Sequence, residues 1–567
     1  MSQTLAHNAS GAPSTVSDAE RPPHTSNSSD GGNHELKEKD VEMAENPIAA
    51  KADPALEDES NYVTGLRLVL IMTAVNLTVF LVALDQTIVS TAVPIITNQF
   101  QSFTDVGWYG SAYLLTSTAF QPLFGRLYSS FDVKNTYQVA LFIFEIGSLI
   151  CAVAKDSKTF IVGRAIAGLG LAGGYSGSMI IVNIIAPLRQ RPLLTSLMGA
   201  SYGIGATIGP LIGGALTSHA TWRWCFYLNL VLYALIGPAV LLALQVPKAK
   251  HEKTVIQRII EIDWLGSFLI LGSLISLLLV LQWGGVDYAW GDSKIIGLIV
   301  GFVVIAIAFL VDQWFMGEMA TIPFRLFKQR TVGFGTIVNF GVAGAYFTEL
   351  YYLPIYFQAV RGSSAIRASV QMLSFIVAVV FAVTVIGGVV NKTGHYIPFL
   401  IVGTALVAIG GGILSVFEVD TSLSEYVGLQ FLAGFGPGMS WMLPFIAASA
   451  ALAPQDIALG SGIVIFFQTL GGTIFVSVAQ SVFQNKFQLY LNEIPGADPG
   501  SILRHGISAF RETTPAEILP AVLDAANHAL SRVWIIVGVL GAFAFVGVFG
   551  MELRRKIPIG ASAPGGL

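Results

Sequence analysis

The stretch GASYGIGATIGPLIGGAL, residues 199–216, decides how the rest of the chain is read. Gly205, Gly209 and Gly213 recur every four residues, so on a helix they form one smooth stripe about 12 Å long, with Pro210 and Gly214 beside it. In water such a helix would be poor, because each interior Gly costs about 1 kcal/mol against Ala and Pro about 3. In a bilayer the balance changes. Small residues let a neighbouring backbone approach closely, and the groups freed by proline find partners on adjacent helices. The stripe therefore implies at least a tightly packed pair of membrane helices.

Composition places the whole chain in that setting. Of 567 residues, 53% are hydrophobic and 12% charged, and the mean hydropathy is +0.67. A soluble protein carries about twice that charge, so this is an integral membrane protein. The net charge of -4 is unevenly spread: residues 1–66 hold twelve acids against four basic residues, leaving the remainder mildly basic. Nothing in this pattern suggests a nucleic-acid partner. The two cysteines, Cys151 and Cys225, fall in or beside apolar segments and can build neither a disulfide framework nor a metal site.

Residues 1–60 are rich in Ser, Asn, Asp, Glu, Gly and Pro and are expected to be a disordered tail. No apolar stretch near Met1 resembles a cleaved signal, so the first span is expected to act as the insertion signal. After Arg67 come fourteen apolar segments, each about long enough for a ~30 Å hydrocarbon core. They cover 68–94, 107–127, 137–155, 159–183, 194–217, 225–245, 264–283, 295–314, 332–356, 368–390, 397–417, 425–447, 460–484 and 531–552. With the N-terminus inside, the inner loops and C-terminal tail hold fifteen Lys and Arg, and the short outer loops hold six. That asymmetry puts both termini in the cytoplasm and the long 485–530 loop outside. The sequons at Asn8, Asn27 and Asn391 would then be cytoplasmic, and Asn76 lies within a span.

The chain also repeats itself. RAIAGLG begins at Arg164 in the fourth span and QFLAGFG at Gln430 in the twelfth, with glycines at the same offsets. The loop Gly125–Lys134 has a shadow in GGVVNKTGHY at 387–396. The pattern predicts an all-α membrane protein of 14 transmembrane helices, two six-helix repeats plus two inserted helices. Its divisions are a cytoplasmic tail at 1–66, a six-helix bundle at 67–245, a loop and two inserted spans at 246–330, a second bundle at 331–552 and a tail at 553–567. Duplicated halves place a binding site between them near the midplane, which favours a carrier over a receptor.

These residues resemble a known family, the major facilitator superfamily, and within it the fourteen-span drug:proton antiporters of the fungal toxin-efflux type. GIGATIGPLIGG matches the fifth-span antiporter motif G-x-x-x-G-P-x-x-G-G at every fixed place, through Gly205, Gly209, Pro210, Gly213 and Gly214. LDQTIVSTAVP at 84–94 resembles the first-span motif, and GRAIAGLG supplies the fourth-span Arg as Arg164. WRWCFYLN at 222–229 and YYLPIYFQAVRG at 351–362 are further landmarks. The resemblance covers about residues 65–555. It departs at the loop after the second span, where GRLYSSFDVK has Ser129 in place of the usual acid. Gly125, Arg126, Asp132 and Lys134 remain as cytoplasmic gate residues, with Asp132 and Arg189 or Arg191 a substitute lock.

Ionisable groups within spans cost about 2.5 to 3.5 kcal/mol on insertion scales and are functional candidates by default. Four stand out: Asp85, Glu145, Arg164 and Glu349. Asp85 and Arg164 reach the same outer-half depth from opposite directions and can pair; the resemblance ties this acid to proton coupling or cation recognition. Desolvation disfavours a charged carboxyl and a nearby Arg favours it, so a moving Arg can make an acid take up or release a proton. Glu145 is the next coupling candidate, or it hydrogen-bonds to neighbours. Glu349, close to the outer end of its span, reads as an interfacial, solvated acid. Trp108, Tyr109, Tyr113, Tyr351, Tyr352, Tyr356 and Phe357 read as interfacial belts. Phe466, Phe467 and Gln468 are too deep for a belt, and with Gln121 and Gln430 they are expected to line a mostly apolar substrate pocket.

No enzyme is indicated. The His residues show no metal-ligand spacing, no G-x-x-x-x-G-K-[ST] loop is present, and the G-x-S-x-G match lacks a strand-turn-helix context. No cofactor is expected; the partners are a small-molecule substrate, a proton and membrane lipid, and the chain is expected to be a monomer. The leading reading is a proton-coupled exporter of small, largely hydrophobic compounds such as a toxin, secondary metabolite or drug, in the plasma membrane or, alternatively, the vacuolar membrane. A permease for basic amino acids or siderophores is the second reading, and a non-transporting membrane sensor the third.

Overall fold

In a computed structural model, residues 62–100, 102, 105–244, 254–285, 288–504, 511, 514–554 and 556–557 are described. The tail expected at 1–66 falls almost wholly outside them, as do the sequons at Asn8 and Asn27 and most of the C-terminal tail. Among the described residues fourteen long helices follow the fourteen apolar segments. They are α1 Gly65–Phe100, α2 Val106–Ser130, α3 Val133–Val153, α4 Ser157–Ile185, α5 Arg191–His219, α6 Trp224–Ala243 and α7 Trp264–Trp283. The chain continues with α8 Ser293–Met316, α9 Arg330–Ile355, α10 Leu373–Thr393, α11 Ile397–Leu414, α12 Leu423–Ser440, α13 Ile457–Leu491 and α14 Leu519–Val548. No strand occurs among the described residues; an isolated bridge joins Gly284 and Tyr288.

Short polar side chains start these helices. The carboxylates of Asp132, Asp156, Asp263 and Asp292 accept the first free backbone N–H groups of α3, α4, α7 and α8. Ser422 and Glu425 close a capping box on α12. Gly394 ends α10 at φ +69°, the left-handed conformation that costs glycine nothing. Past Pro354, which has no N–H to continue the ladder, α9 passes into a π-turn at Tyr356–Val360.

Eleven helical segments are long and apolar enough to cross a membrane. The other three, α2, α5 and α9, are rich in Gly, Ser, Thr and Tyr, and they supply polar residues to the interior.

The packing follows one plan twice. α1 packs on α5 and α6, α3 on α4 and α6, and α2 on α4; in the same way α9 packs on α13 and α14, α11 on α12 and α14, and α10 on α12. Two crossed contacts join the sets, α5 with α10 and α13 with α2. Glycines sit at matching close approaches. A Cβ on Gly205 of α5 would strike the backbone oxygen of Phe80, and one on Gly471 of α13 that of Phe340. A Cβ on Gly168 of α4 would strike the oxygen of Tyr113, and one on Gly434 of α12 that of Phe375. Outside this plan, α7 lies against α2 and α13, while α8 packs mainly on α7 and exposes Val300, Val304 and Ile307.

Several boundaries differ from the apolar segments. α14 begins twelve residues before 531, because Val522, Ala525, Ala526 and Ala529 give its amphipathic start a buried face and Asn527 donates to the Phe417 oxygen at 2.8 Å. α13 continues to Leu491, so the 485–530 loop shortens from both ends. The twelfth segment breaks at Trp441–Met442 before the short helix Leu443–Ala451.

Candidate functional site

The first part of the site is a buried charge cluster built by α1, α3, α4 and α6. Arg164 Nη1 donates to Asp85 Oδ2 at 2.7 Å, with both side chains at most 1% exposed. Arg164 Nε donates to the Tyr109 backbone oxygen at 2.9 Å, and the guanidinium lies 4.0 Å from the centre of the Tyr113 ring. The other carboxylate oxygen of Asp85 accepts from Asn229 Nδ2 at 2.7 Å, and the same amide donates to Ser148 Oγ at 3.0 Å. Asp85 is thus held by a cation and a neutral amide at once. Glu145 lies close enough to feel its charge, is buried, and has no hydrogen-bond partner for either oxygen among the described residues.

The second part is a cavity between the two sets of helices, with about 530 Å³ of space between its atoms, part of it open to solvent. Gln86, Ser117, Gln121, Gln468, Thr469 and Thr473 supply its polar edge, and Tyr175, Tyr202, Phe347 and Trp441 its aromatic wall. None of the lining side chains is charged. Tyr202 stands 6.1 Å from both Tyr175 and Trp441 and 6.3 Å from Phe347, and its hydroxyl donates to Gln86 Oε1 at 2.6 Å. Hydrogen bonds cross the seam of α2 and α13: Thr469 Oγ1 donates to Gln121 Oε1 at 2.5 Å, and the Thr118 and Thr473 hydroxyls are 3.1 Å apart. Tyr175 on α4 donates to Gln468 at 3.4 Å. Cluster and cavity adjoin within single helices, since Gln86 follows Asp85 on α1 and Leu114, a cavity residue, follows Tyr113 on α2.

The glycine motif presents two faces. Gly205, Gly209 and Gly213 lie against Phe80, Thr87, Ile88 and Thr91 of α1. Gly199 and Gly203 lie against Val383 and Val380 of α10, and Gly214 faces Ile366 just before that helix. Pro210 lies inside α5 between the two.

At one end of the bundle, Gly125 of α2 meets Gly462 of α13 so closely that a Cβ would come within 3.3 Å of the Gly462 Cα. Arg126 beside it feels the charges of Glu261, Glu318, Arg325 and Asp263. Lys134 Nζ donates to the Leu241 oxygen in the last turn of α6 at 2.6 Å, and Asp132 caps its own helix. An ion-pair cluster that the sequence did not suggest lies nearby. Arg325, between α8 and α9, donates to both oxygens of Asp456, at 2.8 and 2.6 Å, and to Glu318 at 2.5 Å. These bonds hold the Asp456 carboxyl below its usual range.

Of the expected pocket residues, Gln121 and Gln468 reach the cavity and the others do not. Phe466 packs with Ile270, Leu274 and Phe309 of the α7–α8 pair, and Phe467 meets Phe327 edge to face at 6.0 Å, because that part of α13 is covered by the added helices and the segment after them. Gln430 is fully buried within the second set of helices, donating to the Gln371 oxygen at 3.3 Å. Glu349 is not interfacial: it is 0% exposed. Nor do the aromatics form a belt, since Tyr109, Tyr113, Tyr352, Tyr356 and Phe357 are all buried, with Tyr351 exposed. Asn229, Gln86, Tyr202 and Trp441 were missed; a lone Asn in the apolar run WRWCFYLN was the available signal for the first.

Comparisons with known proteins bear on this arrangement. Residues 75–476 match the family described as Major Facilitator Superfamily. The chain is 42% identical over 524 residues to the MFS-type efflux pump MFS1 of Arthroderma benhamiae, spanning 92% of this chain and 98% of the relative. It is 40% identical over 501 residues to the efflux pump aflT of Aspergillus parasiticus, spanning 88% and 98%. The solved proton:xylose symporter XylE superposes at a TM-score of 0.55 with 15% identity, covering 86% of this chain and 97% of that one, which speaks to the fold alone. The extent of these matches, together with the all-helical fold built twice over around a central cavity, establishes that the chain belongs to the Major Facilitator Superfamily, a family of membrane transporters and not of enzymes.

Proposed function

We propose that the protein is a proton-coupled exporter of small, largely hydrophobic organic compounds, such as a toxin, secondary metabolite or drug. The relatives from Arthroderma benhamiae and Aspergillus parasiticus, at 42 and 40% identity, are efflux pumps by name. The observation that carries the reading is the uncharged aromatic cavity beside a buried acid–arginine cluster. A cavity of this kind suits an apolar ring system with a few carbonyl or hydroxyl groups. A basic amino acid would need an acid in the lining, and none is present.

In this mechanism all fourteen long helices span the bilayer, 67–245 and 331–552 rock against each other, and 246–330 is an insert. Both termini are cytoplasmic, in the plasma membrane. Arg164 and Asn229 hold Asp85 as the carboxylate in one state. When α1 and α4 shift, Asp85 loses the guanidinium and takes a proton, with Glu145 as the neighbouring acid that shares it. Gln86 and Leu114 transmit the shift to the cavity, because each is covalently next to a cluster residue.

The test is flux into proteoliposomes of a radiolabelled, uncharged methoxyflavone. With the lumen acidic, antiport accumulates the probe inside, whereas a proton symporter expels it. No movement under any imposed pH gradient would sink the exporter reading.

A further inference from the structure

In α9, Glu349 is fully buried and neither of its oxygens has a hydrogen-bond partner among the described residues. An isolated buried acid is costly to keep, and the surroundings offer no counter-charge. The charged and titratable groups on the elements packed against α9 are Arg325 and Lys328 before its first turn, Tyr356 beyond its last, and Arg367, Glu425, Tyr426, Lys486, Tyr490, Asp524, His528 and Arg532. Tyr426 lies about 12 Å beyond Glu349, because its ring is 5.2 Å from Phe357, eight residues on, and the contacts of Gly341 and Gly547 place Arg532 about one turn beyond Glu349, where it donates to Tyr490. On α9 itself Tyr346 feels the Glu349 charge, and Tyr352, one turn on, faces Phe483.

What lies level with Glu349 is a pair of amides. Tyr346 stacks on Phe375 at 6.1 Å, and Gly434 of α12 lies against the Phe375 oxygen. Glu349 is three residues past Tyr346, and Gln430 is four residues from Gly434 toward the same end, so both sit about one turn beyond the Phe375 level. Gln430 Oε1 and Gln371 Oε1 are both buried without a donor. Two acceptors and an acid without partners among the described residues therefore lie at about one level, and the proton of a neutral Glu349 carboxyl is a donor able to satisfy one of the amides.

The packing plan relates this layer to the charge cluster. Gln430 precedes Gly434 by four residues as Arg164 precedes Gly168, and both glycines meet a backbone oxygen of the neighbouring helix. Asp85 lies five residues past Phe80, and Glu349 nine past Phe340, where Phe80 and Phe340 make equivalent contacts with Gly205 and Gly471. Glu349 is thus one turn further along the same face as Asp85. Its half has Gln where the other has Arg.

We propose that Glu349 is a second proton-binding site, in the C-terminal half, which carries one proton per transport cycle in addition to that of the Asp85 cluster and, while protonated, donates a hydrogen bond to Gln430 or Gln371. The inference rests on the exporter reading. In proteoliposomes with the membrane potential clamped at zero, the substrate ratio at which protein-dependent flux of the methoxyflavone vanishes counts the protons. For one pH unit, two protons balance a ratio of about a hundredfold and one proton about tenfold. Wild type is expected near the hundredfold value, Glu349→Gln near tenfold, and Glu349→Asp near wild type. A purely structural role would slow the flux and leave this ratio unchanged. A wild-type ratio near tenfold, which needs no variant, or an unchanged ratio in Glu349→Gln, overturns the second site and leaves the exporter standing. A wild type that moves no probe counts against the exporter itself.

Discussion

Asp85 is where burial and charge conflict most directly. Its two oxygens are both occupied, by Arg164 at 2.7 Å and Asn229 at 2.7 Å, so a coupling acid and a structural ion-pair partner make different predictions. In Asp85→Asn the amide keeps the shape and can still accept from Arg164, which retains the Tyr109 oxygen and the face of Tyr113. We expect this variant at normal levels in the membrane, still binding the methoxyflavone, with the balancing substrate ratio for one pH unit reduced from about a hundredfold to about tenfold, the part that Glu349 carries. If the pair were only structural, breaking it would cost about 3 to 5 kcal/mol and show as lost protein, partly rescued in Asp85→Asn with Arg164→Gln. An unchanged ratio of about a hundredfold in a well-expressed Asp85→Asn protein would remove the coupling role, and Glu145 would be the next acid to replace. This pair was legible in the sequence because ionisable residues are so rare in spans that few partners exist. Glu349 was misread for a backbone reason: its closeness to the outer end of the segment 332–356 suggested solvent, but the π-turn at Tyr356–Val360 adds more helical chain and keeps the acid inside. Phe466 and Phe467 were misread because depth along a helix does not give the side it faces, and adjacent Gln468 points the other way, to the cavity.

At the level of elements, α5 joins the two sets of helices. One row of its glycines meets α1 and another meets α10, so the helix is a contact within its own set and across the seam together. The sequence showed the Gly205–Gly209–Gly213 stripe but could not show the second face, which depends on where α10 crosses. A Leu at Gly209 would collide with Thr87 and Ile88, and one at Gly213 with Ile88 and Thr91. We expect either variant to insert and to lose transport, since the backbones must be in contact in at least one state, with Pro210→Ala milder. Normal flux by a membrane-resident Gly209→Leu would show that the contact is dispensable. The elbow after α8 makes a different contact, through Arg325 and Asp456 at 2.6 Å. With Arg325 40% exposed, the pair is worth about 1 kcal/mol or less. The Asp456 carboxyl is held below its usual value, so its contribution is complete above an ordinary Asp value of about 3.9 and lost as pH falls through the lower folded one. Asp456→Asn is therefore expected to lower the flux rate evenly from about pH 5 to 8, with no change in the shape of the profile; a change of shape in that window would mean that Asp456 itself titrates there.

For the whole molecule, the orientation in the bilayer follows from charge, since the helices alone look alike from either side. With the N-terminus inside, as proposed, fifteen Lys and Arg fall in inner segments against six in short outer loops, and this excess is the ground for the proposed orientation. Lys392, in the last turn of α10, belongs to the inner set. Glu493 follows α13, three helices later, and so lies on the opposite face. Both positions are exposed, and the chain's own thiols, Cys151 and Cys225, are buried and free. A single cysteine placed at either position therefore reports against a quiet background. A membrane-impermeant maleimide added to intact cells is expected to label Glu493→Cys and to reach Lys392→Cys only after the membrane is opened. The reverse pattern would invert the protein, put the basic loops outside and remove the charge argument. Labelling of both positions in intact cells would mean that an odd number of the three intervening helices fails to cross, and the fourteen-span topology would fall with it.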